Sequence, residues 1–141
     1  MRSIAFVFFL AAVLCVTGGM VLGLYMAASE DHILAGAHAH LNLVGWASLA
    51  LFGLYYNATP QAAQGRLPRI HALTAILGVV IMVPGIAIAS TGGSPGPAIV
   101  GSLLVFASML IFLVTVIRFG LGAASETSHG RASGGAFTPA E

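Results

Sequence analysis

The sequence predicts an all-α integral membrane protein, a four-helix bundle with both termini cytoplasmic, and three observations predict it. Of the 141 residues, 58% are hydrophobic and 6% are charged, with a mean hydropathy of +1.00, whereas a soluble domain carries roughly 25% charged residues. Four apolar segments, at 4–28, 33–56, 70–90 and 97–119, each approach the roughly 20 residues that a helix needs to span hydrocarbon. The arginines and the outer acids fall on opposite sides of such a four-span path. Half of the 18 glycines lie within the apolar runs, where small residues let backbones approach in a solvent that gives helices no hydrophobic reason to associate.

The first segment follows Arg2 and superficially looks like a signal peptide, but its apolar run exceeds the roughly 7–15 residues of a typical signal core. It is therefore expected to be a retained helix. Residues 29–32 form a tight outer turn containing Glu30, Asp31 and His32. The inner loop at 59–69 contains Pro60 and Pro68, and the second outer turn, Thr91-Gly92-Gly93-Ser94-Pro95-Gly96, is rich in helix breakers. Arg2, Arg66, Arg69, Arg118 and Arg131 share one side, and Glu30 and Asp31 share the other, which places both termini in the cytoplasm by the positive-inside rule. Residues 120–141, rich in Gly, Ser, Thr and Ala, are expected to be a flexible cytoplasmic tail in which His129 is solvated. The expected location is a bacterial-type inner membrane, and the expected surroundings are the lipid bilayer together with further copies of the chain or subunits of a respiratory complex. Scattered arginines and a net charge of +1 give no patch for nucleic acid. Cys15, alone and mid-segment, reads as a small packed side chain.

The chemistry concentrates in the second segment, at Ala37-His38-Ala39-His40-Leu41-Asn42-Leu43-Val44-Gly45-Trp46. Ionisable side chains are costly in hydrocarbon and mark a ligand, a proton path or a buried polar contact. At 1.5 Å per residue, His38 and His40 lie about 8–10 Å below the outer end of the helix. Two residues apart, they diverge by about 200° on a regular helix and cannot bind one metal ion together. Asn42 shares the face of His38, followed by Gly45 and by Trp46 or Leu49, a polar stripe suited to interhelical hydrogen bonding. His40 shares its face with Gly36, Ala37, Leu43, Val44 and Ala47, apolar and partly small, against which a flat macrocycle can lie. His40 is accordingly expected to turn inward to a cavity between the spans and ligate a haem. His38, on its own face, is the other candidate metal ligand, and Asn42 and Trp46 complete the candidate cofactor site. Met20, Met82, a histidine of a second copy or an open position are the options for the sixth place on iron. His71 lies near the opposite membrane surface, too far from His40 to be that ligand, and reads as structural.

The order His40-x-Asn42, then Trp46, Gly53, Tyr55-Tyr56 and Pro60, resembles the second transmembrane helix of subunit I in the haem-copper oxidase superfamily, in particular its nitric oxide reductase and cbb3-type cytochrome c oxidase branches. The resemblance covers chiefly the first two helices, and spacings after Asn42 differ by about one residue. It implies that His40 ligates a low-spin haem b, with Asn42 as a nearby polar group. A complete subunit I has many more helices and separate histidines for two haems and copper. Here only His38, His40 and His71 lie in or near the apolar segments, so the chain alone does not build a haem-copper centre. The expected function is a small haem b protein for electron transfer or O2 or NO binding. The alternatives are a noncatalytic subunit or assembly factor of a respiratory oxidase, or a copper- or zinc-handling protein using Glu30, Asp31, His32, His38 and His40.

Overall fold

The computed structural model describes residues 3–122, and among these every regular element is helical. Helix α1 (Ile4–Ser29) starts where the Ser3 hydroxyl accepts the Phe6 N–H at 3.3 Å, satisfying one of the free donors of a first turn. It stops at Glu30, which takes a left-handed conformation with φ 55°. Asp31 then accepts the Ile33 N–H at 2.9 Å, a side-chain turn that reverses the chain. The second helical run has three parts: α2 (Ala35–His40), a π-helical stretch (Leu41–Ser48) and α3 (Leu49–Ala58). Leu41 and Ser48 keep right-handed helical backbone angles, so the run bends its hydrogen-bond register without breaking.

Helix α4 (Leu67–Ser90) begins with Pro68 in its first turn and carries Pro84 in its interior. Proline at the start of a helix forfeits a donor that would be unpaired anyway, and an interior proline is tolerated in membrane helices whose neighbours absorb the freed carbonyl. The helix ends in a Schellman motif: Gly92, at φ 88°, donates to the Ala89 carbonyl at 3.1 Å, and Gly93 donates to that of Ile88 at 2.8 Å. Helix α5 (Gly96–Phe119) follows directly, with Pro97 in its first turn.

Small residues set the helix contacts. On α4, a side chain at Gly85 would run into the backbone of Pro97 and Ala98, and on α5 one at Gly101 would run into the backbone of Met82, so these two helices touch main chain to main chain. Helix α1 packs antiparallel on the second run, where Gly53 meets the backbone of Ala5 and Phe9 while Gly19, Gly23 and Gly45 make room for side chains of the facing helix. At the end bearing α1's first residues, Phe8, Phe52, Tyr55, Tyr56, His71 and Phe112 form the aromatic centre of the core.

Helices α1, α4 and α5 are each long and apolar enough to cross a membrane, and the chain is a multi-pass helical membrane protein. The helix bounds expected from composition agree with the observed ones to within three residues at every end. The tail expected at 120–141 lies outside the described residues beyond Gly122, as do Arg2, His129 and Arg131.

Candidate functional site

The two histidines of the second run, His38 and His40, occupy different surroundings, as their divergence on a helix requires. His38 faces α1. A Cβ at Gly23 would lie 3.1 Å from its Cε1, and a Cβ at Gly19 would lie 2.5–2.8 Å from the Asn42 amide. Glycines four apart on α1 therefore form a trough into which His38 and Asn42, also four apart, are laid. Below them Gly45 meets the Cys15 side chain, and Trp46 packs edge-on against Phe9 at 6.4 Å between centroids. All four polar or aromatic residues singled out in this stretch are at least partly accounted for: His38, Asn42 and Trp46 by α1, and His40 by its own backbone, as follows.

The π-helical register begins one residue after His40, and Asn42 occupies that transition. Leu41 N–H is shared between the Ala37 and His38 carbonyls, while the Asn42 side-chain amide donates to the His38 carbonyl at 2.8 Å. A side-chain donor thus compensates a main-chain acceptor where the ladder changes step. The same amide nitrogen lies 3.4 Å from both ring nitrogens of His38, over the ring and not along one lone pair. Farther along, the Ser48 hydroxyl donates to the Leu43 carbonyl at 3.1 Å, five residues back. Short π segments inside α-helices occur frequently at functional sites.

His40 is on the outside of the bundle. Its ring is exposed, and its Nδ1 lies 2.8 Å from the Gly36 carbonyl. The expectation that this ring turns inward to a cavity is corrected here: Gly36, His40 and Leu43 are exposed, whereas Ala37 at the edge of that face is buried and the His38–Asn42 pair is the side laid against α1. A carbonyl only accepts, so Nδ1 carries the proton and, in the neutral ring, the Nε2 lone pair is free. Metal-ligating histidines commonly have this arrangement, with the far nitrogen anchored on a backbone carbonyl.

The cavity that the described residues enclose beside the second run is too small for a porphyrin. That cavity, of about 90 Å³ between Val44, Ser48, Phe52, Ala75, Val105 and Ser108, is far below the roughly 300–1,000 Å³ of typical ligand sites. The larger clefts, of about 360 and 540 Å³, open at the far end near Ser3 and touch neither His38 nor His40. None of these three openings would take a porphyrin beside His38 or His40. Of the proposed sixth ligands, Met82 is buried at the α4–α5 contact and Met20 is exposed on α1. Among the described residues no three His, Cys, Asp or Glu side chains gather as a metal site, so Glu30, Asp31, His32, His38 and His40 do not form one.

His71 is fully buried. Its Nδ1 pairs with the Tyr56 hydroxyl at 2.9 Å, and its ring lies 4.6 Å from that of Phe52, 5.0 Å from Phe8 and 5.7 Å from Phe112. Among the described residues its Nε2 has no hydrogen-bond partner. Tyr55 donates to the Gly120 carbonyl at 2.8 Å, closing the same end of the bundle. Sequence reasoning saw the adjacent tyrosines but assigned them nothing; the signal was that Tyr56 and His71 face each other across the 59–66 turn. It also missed the π segment, for which the residue pattern carries no distinctive mark. No protein-family model, curated protein or solved structure matches this chain, so its functional reading rests on its own geometry.

Proposed function

We propose that this chain is a small, four-span protein of a bacterial-type inner membrane, with both termini cytoplasmic, that holds haem b through His40 at a face shared with a second membrane chain. The observation that carries this reading is the His40 ring itself: exposed on the outside of the second run, anchored at Nδ1 on Gly36, and free at Nε2. An intramembrane imidazole left facing lipid is expensive, and a coordinated iron removes that expense. The sequence order that resembles subunit I of haem-copper oxidases points to the same histidine. The second helical run, 24 residues from Ala35 to Ala58, supplies the remaining span; at about 1.5 Å per residue it is as long as the hydrocarbon is thick.

The chain's own residues would do three things. The Gly36 carbonyl fixes the ring orientation and the proton-bearing nitrogen. Gly36 lacks a side chain beside the ring, and Leu43 adds an exposed apolar surface against which a macrocycle can rest. Asn42 and His38, locked into the α1 trough, hold the helix in the rotation that keeps His40 outward. Bound haem b would supply one-electron transfer or a position for O2 or NO; the chain is not a complete oxidase.

A second reading, a noncatalytic subunit or assembly factor of a respiratory oxidase without its own cofactor, is favoured by the filled interior around His38. Absorption spectra of detergent-purified protein separate the two. The haem reading predicts a Soret band that is lost in His40→Ala and retained in His71→Leu. Colourless protein carried in a complex with oxidase subunits would favour the second reading.

A further inference from the structure

At the end opposite His40, α1, the α3–α4 connection and the first turn of α4 converge on an open cleft of about 540 Å³, lined by Ser3, Ile4, Val7, Gln64 and Arg69 among others. Its composition is graded. Arg69 and Gln64 are exposed polar groups at the mouth, whereas Ile4 and Val7 continue from it along the apolar surface of α1. Ser3 already accepts the Phe6 N–H through its hydroxyl oxygen, so its hydroxyl proton remains free to be donated. Among the described residues the acids are Glu30 and Asp31, at the far end of a 26-residue helix, about 39 Å away at 1.5 Å per residue. No described carboxylate is therefore within reach to neutralise Arg69. Arg66 and Arg118 lie at the same end of the bundle and add positive potential there.

We propose that this cleft binds the phosphate of an anionic phospholipid headgroup, with one acyl chain running down Ile4 and Val7. A guanidinium offers paired N–H donors that match phosphate oxygens, and basic pockets between helices on the cytoplasmic side are suited to acidic headgroups. Gln64 and Ser3 add neutral donors, and the apolar wall distinguishes a lipid from free phosphate, for which Ile4 and Val7 would contribute nothing. The proposal is independent of the haem reading, since Arg69 and His40 lie at opposite ends of the helices.

Native mass spectrometry of the full chain released from detergent tests it, with dioleoylphosphatidylglycerol, dioleoylphosphatidylcholine and inorganic phosphate added in turn. One phosphatidylglycerol should be retained per chain, and Arg69→Gln should weaken that binding about fivefold, the factor that corresponds to about 1 kcal/mol per basic residue at an anionic surface. Phosphatidylcholine, whose choline offsets its phosphate, should bind more weakly to the parent chain and lose less on the substitution. Gln64→Leu, on an exposed turn, should act in the same direction and provides the readout should Arg69→Gln not fold. Equal binding of the two lipids, phosphatidylglycerol binding unaffected by either substitution, or its displacement by millimolar inorganic phosphate would each overturn the proposal.

Discussion

The two ends of this bundle use the same residue type for opposite purposes. At the end bearing α1's N-terminus, His71 is enclosed by Phe8, Phe52, Tyr56 and Phe112 and is fully buried. At the other end, the helices meet through glycine and small polar side chains, and His40 stands outside with one nitrogen anchored and the other free. What separates a structural histidine from a candidate ligand here is therefore not depth or neighbouring sequence. It is whether the ring is closed in by aromatic packing or held open by its own backbone.

If the aromatic end is the structural one, its truncation should produce the largest loss. Phe8→Ala removes a fully buried ring that packs on Phe52, Tyr56 and His71, and such truncations cost about 3–5 kcal/mol. Thermal unfolding in detergent should show a large fall in midpoint, and an unchanged midpoint would remove the distinction between the two ends.

Tyr56→Phe probes the polar pair inside that cluster. It leaves His71 Nδ1 unpaired as well as Nε2, and an orphaned buried polar group costs about 1–3 kcal/mol. The double variant Tyr56→Phe with His71→Leu removes both polar partners and should recover most of that loss. A double variant as unstable as the sum of the two singles would show that the hydrogen bond is not what the pair contributes.

At the glycine end, Gly19→Ala should cost about 1–2 kcal/mol, within the range for overpacking a fitted contact, because its Cβ would meet the Asn42 amide at 2.5–2.8 Å. Gly23→Ala should cost less, since the nearest atom, His38 Cε1, is 3.1 Å away. Reversal of that order would contradict the trough geometry. The smallest loss of stability belongs to His40→Ala, which in the haem-free chain should leave the midpoint unchanged or raised, since it removes an unpacked imidazole from the outer face. Its effect on any bound chromophore should be complete.

The helices were legible in the sequence because hydrocarbon demands length and apolarity, and residues such as Pro68, Gly92 and Pro97 punctuate the ends of those runs. The divergence of His38 from His40 was legible too, since it follows from helical period alone. Which of the two faced the neighbouring helix was not. That choice was made by Gly19 and Gly23 on α1, whose missing side chains admit His38 and Asn42, and a small-residue pattern on one helix does not name its partner on another. The enclosure of His71 was equally hidden, because Phe8, Phe52 and Phe112 come from three separate helices.

Light scattering coupled to size-exclusion chromatography, with absorbance followed in the Soret region, bears most directly on the outward role of His40. The account predicts haem co-eluting with a particle larger than one copy of the chain, and its loss from that particle in His40→Ala. Haem carried by a single copy, or a Soret band unchanged by His40→Ala, would contradict it.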